Sequence, residues 1–529
     1  MKRLLLLVCL LPLSVSLISQ TLIPDDHFEL ALIDLGLDVG PPDGEVPTAN
    51  ISGITSLDVS DYFISSLVGI EDFAALETLI CHSNNLSTLN LFNNTALTNI
   101  ECFNNNISSL TLPNNSTLTI LRCGDNNLSS LDVSAYPLLE VLHCYNNSSP
   151  NLGTLDLSAN TVLKDLDIHD SGVSNLNISQ CNLLEKIYCY NNYNFTNPLS
   201  SLDVSGKPAL VNLRCYSNNI STLDFTGSTN LTYINCSDNP LGSIDVSLMS
   251  NLETLWCWTT GLSSLDLSNN LMLQSLDCGD NSITTGNLIL PNTNTLIKLW
   301  AYYNLLTGTI NTTPYTNLDV LELGGNSITS IDVSSNTLLT ELWMYENNLT
   351  TIDVSNNTLL EYFDCGINNI TEVDVSMCPN LVGFYCNENP NLNVLDIKNG
   401  NNAILYRMWA NNTNLTCIQV DDAVDANSRS TSLWRKDVTA SYMENCGLSI
   451  DDIELYKIEI YPNPVRDLVV IESILDSRFS LFDVLGNSIL EGDLNSGNNT
   501  LDLTSYSEGI YLLRIENYQG VTTKRIIKE

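Results

Sequence analysis

Basic residues are scarce in this chain. Its 529 residues carry 20 Lys+Arg against 60 Asp+Glu, a net charge of −40 at pH 7, and only 11 of those cations lie between residues 21 and 451. Nucleic acid and anionic membrane surfaces are bound through basic surface, so neither is expected as a partner. Histidine is scarcer still. The four, at 27, 82, 143 and 169, leave little general-base capacity. None comes with both a Ser or Cys nucleophile and an orienting carboxylate, so no catalytic residue and no cofactor is expected. Beyond the N-terminal apolar run no segment offers 18 consecutive apolar residues, which excludes a membrane-spanning helix from the mature chain. Aromatics make up only 7 % of the sequence, with six Trp. Where they concentrate is therefore informative.

Cysteine, by contrast, is regular. Cys81, Cys102, Cys123 and Cys144 recur every 21 residues, and the series resumes at Cys189, Cys215, Cys236, Cys257, Cys278, Cys365 and Cys386. The same slot elsewhere holds Ile168, Ala301, Leu323, Met344 and Ala410. A cysteine that interchanges with Ile, Leu and Met is a small buried hydrophobe, which argues against both a metal site and a disulfide framework. Three residues past the slot, Asn stands in 13 of 16 units, with Ser171, Thr260 and Thr413 in the others. A buried carboxamide there would satisfy backbone groups where the chain turns inward after a short strand. The unit L-x-x-L-x-C-x-x-N-x-L-x-x-L-D-V-S resembles the leucine-rich repeat. The resemblance implies a mainly β fold: a parallel β-sheet horseshoe of about 16 repeats over 76–416, lengthened by insertions at Tyr193 to Pro198 and near Thr285 to Asn294.

The ends differ from the array. Lys2 and Arg3 precede the apolar run Leu4 to Leu13, so 1–20 reads as a secretory leader cleaved near Ser19 or Gln20. Residues 21–75 read as a cap with degenerate first repeats. Phe28, Leu30, Ala31, Ile33, Leu35 and Leu37 are placed on one amphipathic helix covering the open end of the solenoid. Past Leu415 the rhythm stops. Cys417 and Cys446 flank a closing cap over 417–451, and export to an oxidising compartment makes them a disulfide candidate. Cys181 and Cys378 are expected as lone thiols in return loops.

Residues 452–529 carry short alternating runs punctuated by Gly486-Asn487, Asn498-Asn499 and Glu508-Gly509, the pattern of a small Ig-like antiparallel β-sandwich. Four motifs occur in order: Tyr461-Pro462-Asn463-Pro464, Leu481 to Gly486, Gly509-Ile510-Tyr511-Leu512 and Lys524 to Lys528. Together they resemble the C-terminal sorting domain of type IX secretion cargo. That resemblance implies export through the type IX secretion machinery, removal of the domain, and release or attachment at the outer cell surface. Repeats and tail together resemble secreted bacterial leucine-rich-repeat proteins of the internalin kind, which implies a binding scaffold and names no ligand.

Strand side chains alternate, so positions −3, −1 and +1 about each slot face the concave side. Fifteen of these 48 positions are aromatic, and they take five of the six tryptophans. Cross-strand pairing favours aromatics on any sheet, which could account for the tyrosines. Exposed tryptophan pairs such as Trp256 and Trp258 point instead to an interaction surface. The expected ligand residues are Tyr188, Tyr190, Trp256, Trp258, Trp300, Tyr302, Trp343 and Tyr345, with a glycan the first choice of ligand and a protein the second. Asp165, Asp167, His169 and His143 share a face but read as a polar patch. The eleven aspartates of the L-D-V-S type, from Asp58 to Asp396, could hold calcium, though local Asx hydrogen bonding is the simpler account. The alternatives to a binding or adhesion scaffold are a passive surface component and a module of a secreted polymer-degrading enzyme.

Overall fold

The computed structural model describes residues 19–147, 151–192, 198–446, 459–473, 476–484, 487–517 and 520–529. The expected leader lies almost wholly outside them, as do Tyr193 to Asn197 of the first insertion. Eighteen three- or four-residue strands pair in parallel into one sheet, running from Ser56–Asp58 to Trp434–Lys436. The 16 expected repeats thus gain one strand at each end, the second from within the C-terminal cap. In a typical strand such as Thr78–Ile80 the central Leu79 is fully buried while its neighbours are half-exposed. At about 4.8 Å per strand the sheet is about 80 Å long.

The residue after each strand is the ladder slot. All eleven ladder cysteines are free and buried, in one core cluster running the length of the array. Burial pushes the thiols of Cys102 and Cys236 up to about 12, so they stay protonated and unreactive. Two residues further on the backbone turns left-handed in nearly every repeat, at Ser83, Asn104, Asp125 and Asn146 among others. Asn, Asp and Ser tolerate that conformation, and their recurrence there follows from it.

The buried asparagine then ties one turn to the last. Asn126 donates to the Cys102 and Cys123 carbonyls at 2.9 and 3.2 Å and accepts from the Ile107 N–H at 2.9 Å. Eleven others repeat this, from Asn84 to Asn389. Asn192 departs from the pattern. It is exposed and donates to the Asp170 carboxylate, while Asn191 turns inward onto Ser217 and Asn218. The insertion begins at the next residue and displaces the regular turn.

A second column of donors, which the sequence pattern did not suggest, lines the opposite wall. The side-chain amides of Asn94, Asn160, Asn270, Asn336 and Asn357 donate to carbonyls of the preceding repeat. Their amide oxygens are buried without a partner. Cys181 and Cys378 belong to this column, their thiols on the Leu157 and Val354 carbonyls. Buried Lys207 does the same work through its Nζ on Ile178 at 3.1 Å. All eleven L-D-V-S-type aspartates accept the N–H two residues on, at 2.8–3.1 Å. Ten stand on the outside, but Asp58, expected with them, lies on the first strand of the long sheet and so on its open face. The carboxylates are thereby used by their own turns.

The N-terminal helix is Asp26–Asp34, capped by Asp25, which accepts from His27 and Phe28 and also reaches Ser65 and Ser66. Its buried apolar face is Phe28, Ala31 and Leu32, whereas Leu30 and Leu35 are exposed. The helical period separates residues 28, 31 and 32 from residues 30 and 35, which the sequence grouping had merged. At the other end Cys417 and Cys446 form a disulfide beside a four-stranded outer sheet.

Residues 459–529 pack a three-stranded sheet and a four-stranded sheet, both antiparallel, around Val469, Phe479, Leu481, Leu513 and Ile526. Asn463 donates to the Arg525 carbonyl and accepts from the Ile527 N–H, which pins the first tail motif to the last. The strand Gly520–Lys528 was not separated out by the sequence pattern.

Asn126→Ala should expose the Ile107 amide to exchange and cost about 1–3 kcal/mol, because it leaves a buried N–H and carbonyls unpaired. Cys236→Val should cost under about 1.5 kcal/mol as a volume-conserving swap. Site-resolved hydrogen exchange checks both.

Candidate ligand-binding face

The open face of the long sheet is built from three columns of side chains, and they behave differently. All fifteen expected aromatics are half-buried and none is fully exposed. In the column at +1 ring-on-ring packing contributes. Tyr145, His169, Tyr190 and Tyr216 form a continuous stack with centroids 4.4–4.8 Å apart. Rings in this column lean over the preceding repeat. Where that repeat offers glycine they lie on the backbone: a side chain at Gly124, Gly279 or Gly324 would collide with Tyr145, Tyr302 or Tyr345. Much of the aromatic excess is therefore a self-packing ladder, worth about 0.5–1.5 kcal/mol per pair beyond area burial.

The expected ligand residues separate accordingly. Tyr190 lies inside the stack, and Tyr188 lies 5.1 Å from the Arg214 guanidinium, which also sits 4.8 Å from Tyr233. Trp256 and Trp258 flank one slot of a single turn, and Trp256 donates to Ser275 at 3.2 Å. Trp300 has the Lys298 ammonium 5.8 Å from its ring, and Tyr302 meets Tyr303 edge-on. Trp343 and Tyr345 enter a cleft of about 330 Å³ with Asp364, Gly366, Ile367, Tyr385, Asn387 and Trp409. Of the eight expected residues the cleft takes two. Tyr385 and Trp409 stand out only once the columns are read one at a time.

The column at −1 carries the electrostatics. Strand register places Trp256, Asp277, Trp300, Glu322, Trp343, Asp364, Tyr385 and Trp409 side by side, with Arg435 at the end. Carboxylates alternate with aromatic rings from Trp256 to Tyr385. Burial, together with the charge of Glu322, pushes the carboxyls of Asp277 and Asp364 up to about 6; each is partly offset by one backbone N–H, of Gly279 and Gly366. Burial also raises Glu322, which accepts the Tyr345 hydroxyl at 3.0 Å. At the cleft rim Ile367 is held at φ 54°. It takes up the left-handed turn that the repeat places two residues past the slot, which costs a β-branched residue about 1–3 kcal/mol.

In the N-terminal half of the face several carboxylates have a basic side chain beside them. Arg122 pairs with Glu101 at 2.8 Å, His169 with Asp167 at 2.6 Å, and His143 and Lys186 with Asp165 at 3.3 and 3.8 Å. Ser83 Oγ lies 3.1 Å from His82 Nδ1, but no carboxylate bonds that ring among the described residues. No group of His, Cys, Asp and Glu suited to a metal ion occurs among them either.

Residues 459–529 match the family described as a secretion system C-terminal sorting domain. The tail is a sorting domain of type IX secretion. The chain is thus secreted or held at the outer cell surface, and no helix among its described residues is long and apolar enough to cross a membrane. Among solved structures it is similar to the functional domain of InlJ from Listeria monocytogenes, which is described as including a cysteine ladder. The identity is 23 % and the TM-score 0.51, over 97 % of this chain and 99 % of that one. YopM from Yersinia enterocolitica matches at 22 % identity and TM-score 0.52, over 74 % of this chain and 94 % of that one. These likenesses establish the leucine-rich-repeat fold. No curated protein matches the sequence.

The raised carboxyls set a pH dependence. The folded chain keeps protons on Asp277 and Asp364 that the unfolded chain releases from about 3.8 upward, so this contribution is present at low pH and lost as pH rises through about 6. Thermal midpoints should therefore rise on acidification from pH 7 to pH 5. The rise should shrink in Asp277→Asn/Asp364→Asn, as scanning calorimetry at both pH values would report.

Proposed function

We propose that this protein is an exported binding scaffold whose open sheet face takes a polypeptide ligand, with the cleft of Trp343, Tyr345, Tyr385 and Trp409 at its centre. The observation that carries the reading is that cleft. Half-buried rings surround a carboxylate there. Concave, mostly apolar sites with a few placed polar groups are the usual form of a binding site. The expectation of a glycan rested on ring faces free to stack on sugars. Of the eight expected residues Tyr190, Tyr302 and Tyr345 spend a ring face on neighbouring rings or backbone.

Trp343→Ala/Tyr385→Ala should weaken hits from a protein and peptide array by at least about 2 kcal/mol, the hot-spot scale. Asp353→Asn/Asp374→Asn on the outer wall should leave them unchanged; the opposite result would place the ligand on the other face. Deleting residues 452–529 should leave the protein in the periplasm, seen by surface proteolysis of intact cells. Unaltered display would remove the assigned role of the tail.

A further inference from the structure

The two halves of the open face differ in how they treat charge. In the N-terminal half Glu101 is paired with Arg122, Asp165 with Lys186 and His143, and Asp167 with the His169 ring. Asp58 on the first strand has no such partner among the described residues, and Arg214 lies between the rings of Tyr188 and Tyr233 at 5.1 and 4.8 Å. In the C-terminal half Asp277, Glu322, Glu341 and Asp364 have no Lys, Arg or His within ion-pair distance among the described residues. Their hydrogen bonds come from neutral donors: the Gly279 and Gly366 N–H groups, the Tyr345 hydroxyl and the Trp343 indole. Carboxylates that alternate with aromatic rings suit a cation, which both a carboxylate and a ring face attract. The protein's own end of the column shows the fit, since the Arg435 guanidinium lies 4.2 Å over the Trp409 ring.

Spacing selects the shape of the occupant. Asp277, Glu322 and Asp364 recur on every second strand, so they stand about 9.6 Å apart at the usual strand separation. A polyproline II segment rises about 3.1 Å per residue with three residues per turn, which returns a side chain to the same face every 9.3 Å or so. An extended β-strand returns one about every 6.7 Å and falls out of step at once. An α-helix returns side chains to one face about every 5.4 Å, and to the same line after seven residues at about 10.5 Å, so it also falls out of step. The intervening indoles of Trp300 and Trp343 suit the ring of a proline, as in aromatic grooves that hold this helix.

We infer that the column from Trp256 to Trp409 binds an extended cationic polypeptide in the polyproline II conformation. A Lys or Arg at every third residue would seat between rings on Asp277, Glu322 and Asp364. This rests on the reading of the open face as the ligand surface and names the chemistry of the ligand.

The test uses the full chain and synthetic peptides, with titration calorimetry at two salt concentrations. A peptide of four Pro-Pro-Lys repeats should bind, and a peptide of the same composition with its lysines out of phase should bind about tenfold more weakly. Glu322→Gln/Asp364→Asn should lose about thirtyfold or more, the scale of removing one partner of a buried charge pair. Asp353→Asn/Asp374→Asn removes the same charge from the outer wall and should bind as the parent does. Because a folding defect would mimic a lost site, Trp300→Leu serves as a second variant, with thermal melting of each as control. Equal affinity for in-phase and out-of-phase peptides would overturn the inference by reducing it to bulk attraction toward a chain of net charge −40. Binding of spermidine as tightly as the peptide would overturn the polypeptide occupant. If no cationic peptide binds while array ligands still depend on Trp343 and Tyr385, this inference falls and the binding face stands.

Discussion

One side-chain amide holds the solenoid in register. Where each short strand ends and the chain turns inward, carbonyls of two successive turns and one N–H lose sheet partners. A buried Asn, of which Asn126 is representative, supplies all three bonds at once. An unpaired buried amide or carbonyl costs about 1–3 kcal/mol, so a missing Asn is felt by two repeats together. Stacking is thereby made cooperative between neighbours, as expected of a quasi-one-dimensional fold. The cysteine ladder, the left-handed turn residues and the sheet register all presuppose this bridge.

Because the bridge fixes neighbouring turns so tightly, side chains on the open face meet the same columns above and below. Regularity of that kind has two consequences. Rings at +1 fall on one another, so that His169 is clasped between Tyr145 and Tyr190. Charges at −1 are likewise brought to one-strand spacing, where a cation in the next repeat either neutralises them or is absent. The N-terminal half places Arg122 beside Glu101, whereas in the C-terminal half the neighbours of Asp277, Glu322 and Asp364 in the column are rings. The same geometry thus yields a stretch with paired carboxylates and an electronegative one in a single sheet.

Position in the secretory route fits this chemistry. A sorting tail carries the chain outside the cell, where the Cys417–Cys446 disulfide closes the far end of the array. The ladder thiols are shielded from that oxidising environment by burial alone, since none has access to a partner at the surface.

The sequence by itself determined the period, the inward Cys and Leu, the bridging Asn and the identity of the tail, because each is a local spacing repeated many times. Period alone could not place Asn192, whose turn is displaced by the insertion that follows it, or the second donor column, whose members are as unlike as Asn160, Cys181 and Lys207. Nor could a pooled count of aromatics tell Tyr190, packed into a stack, from Trp343, which lines a cleft. That distinction depends on what stands one strand away, at 21 to 26 residues' remove, and on which way each ring tilts. Only the tertiary structure decided it: neighbours across a parallel sheet are set by strand register and insertion length, and a ring covers whatever smaller residue the preceding turn presents.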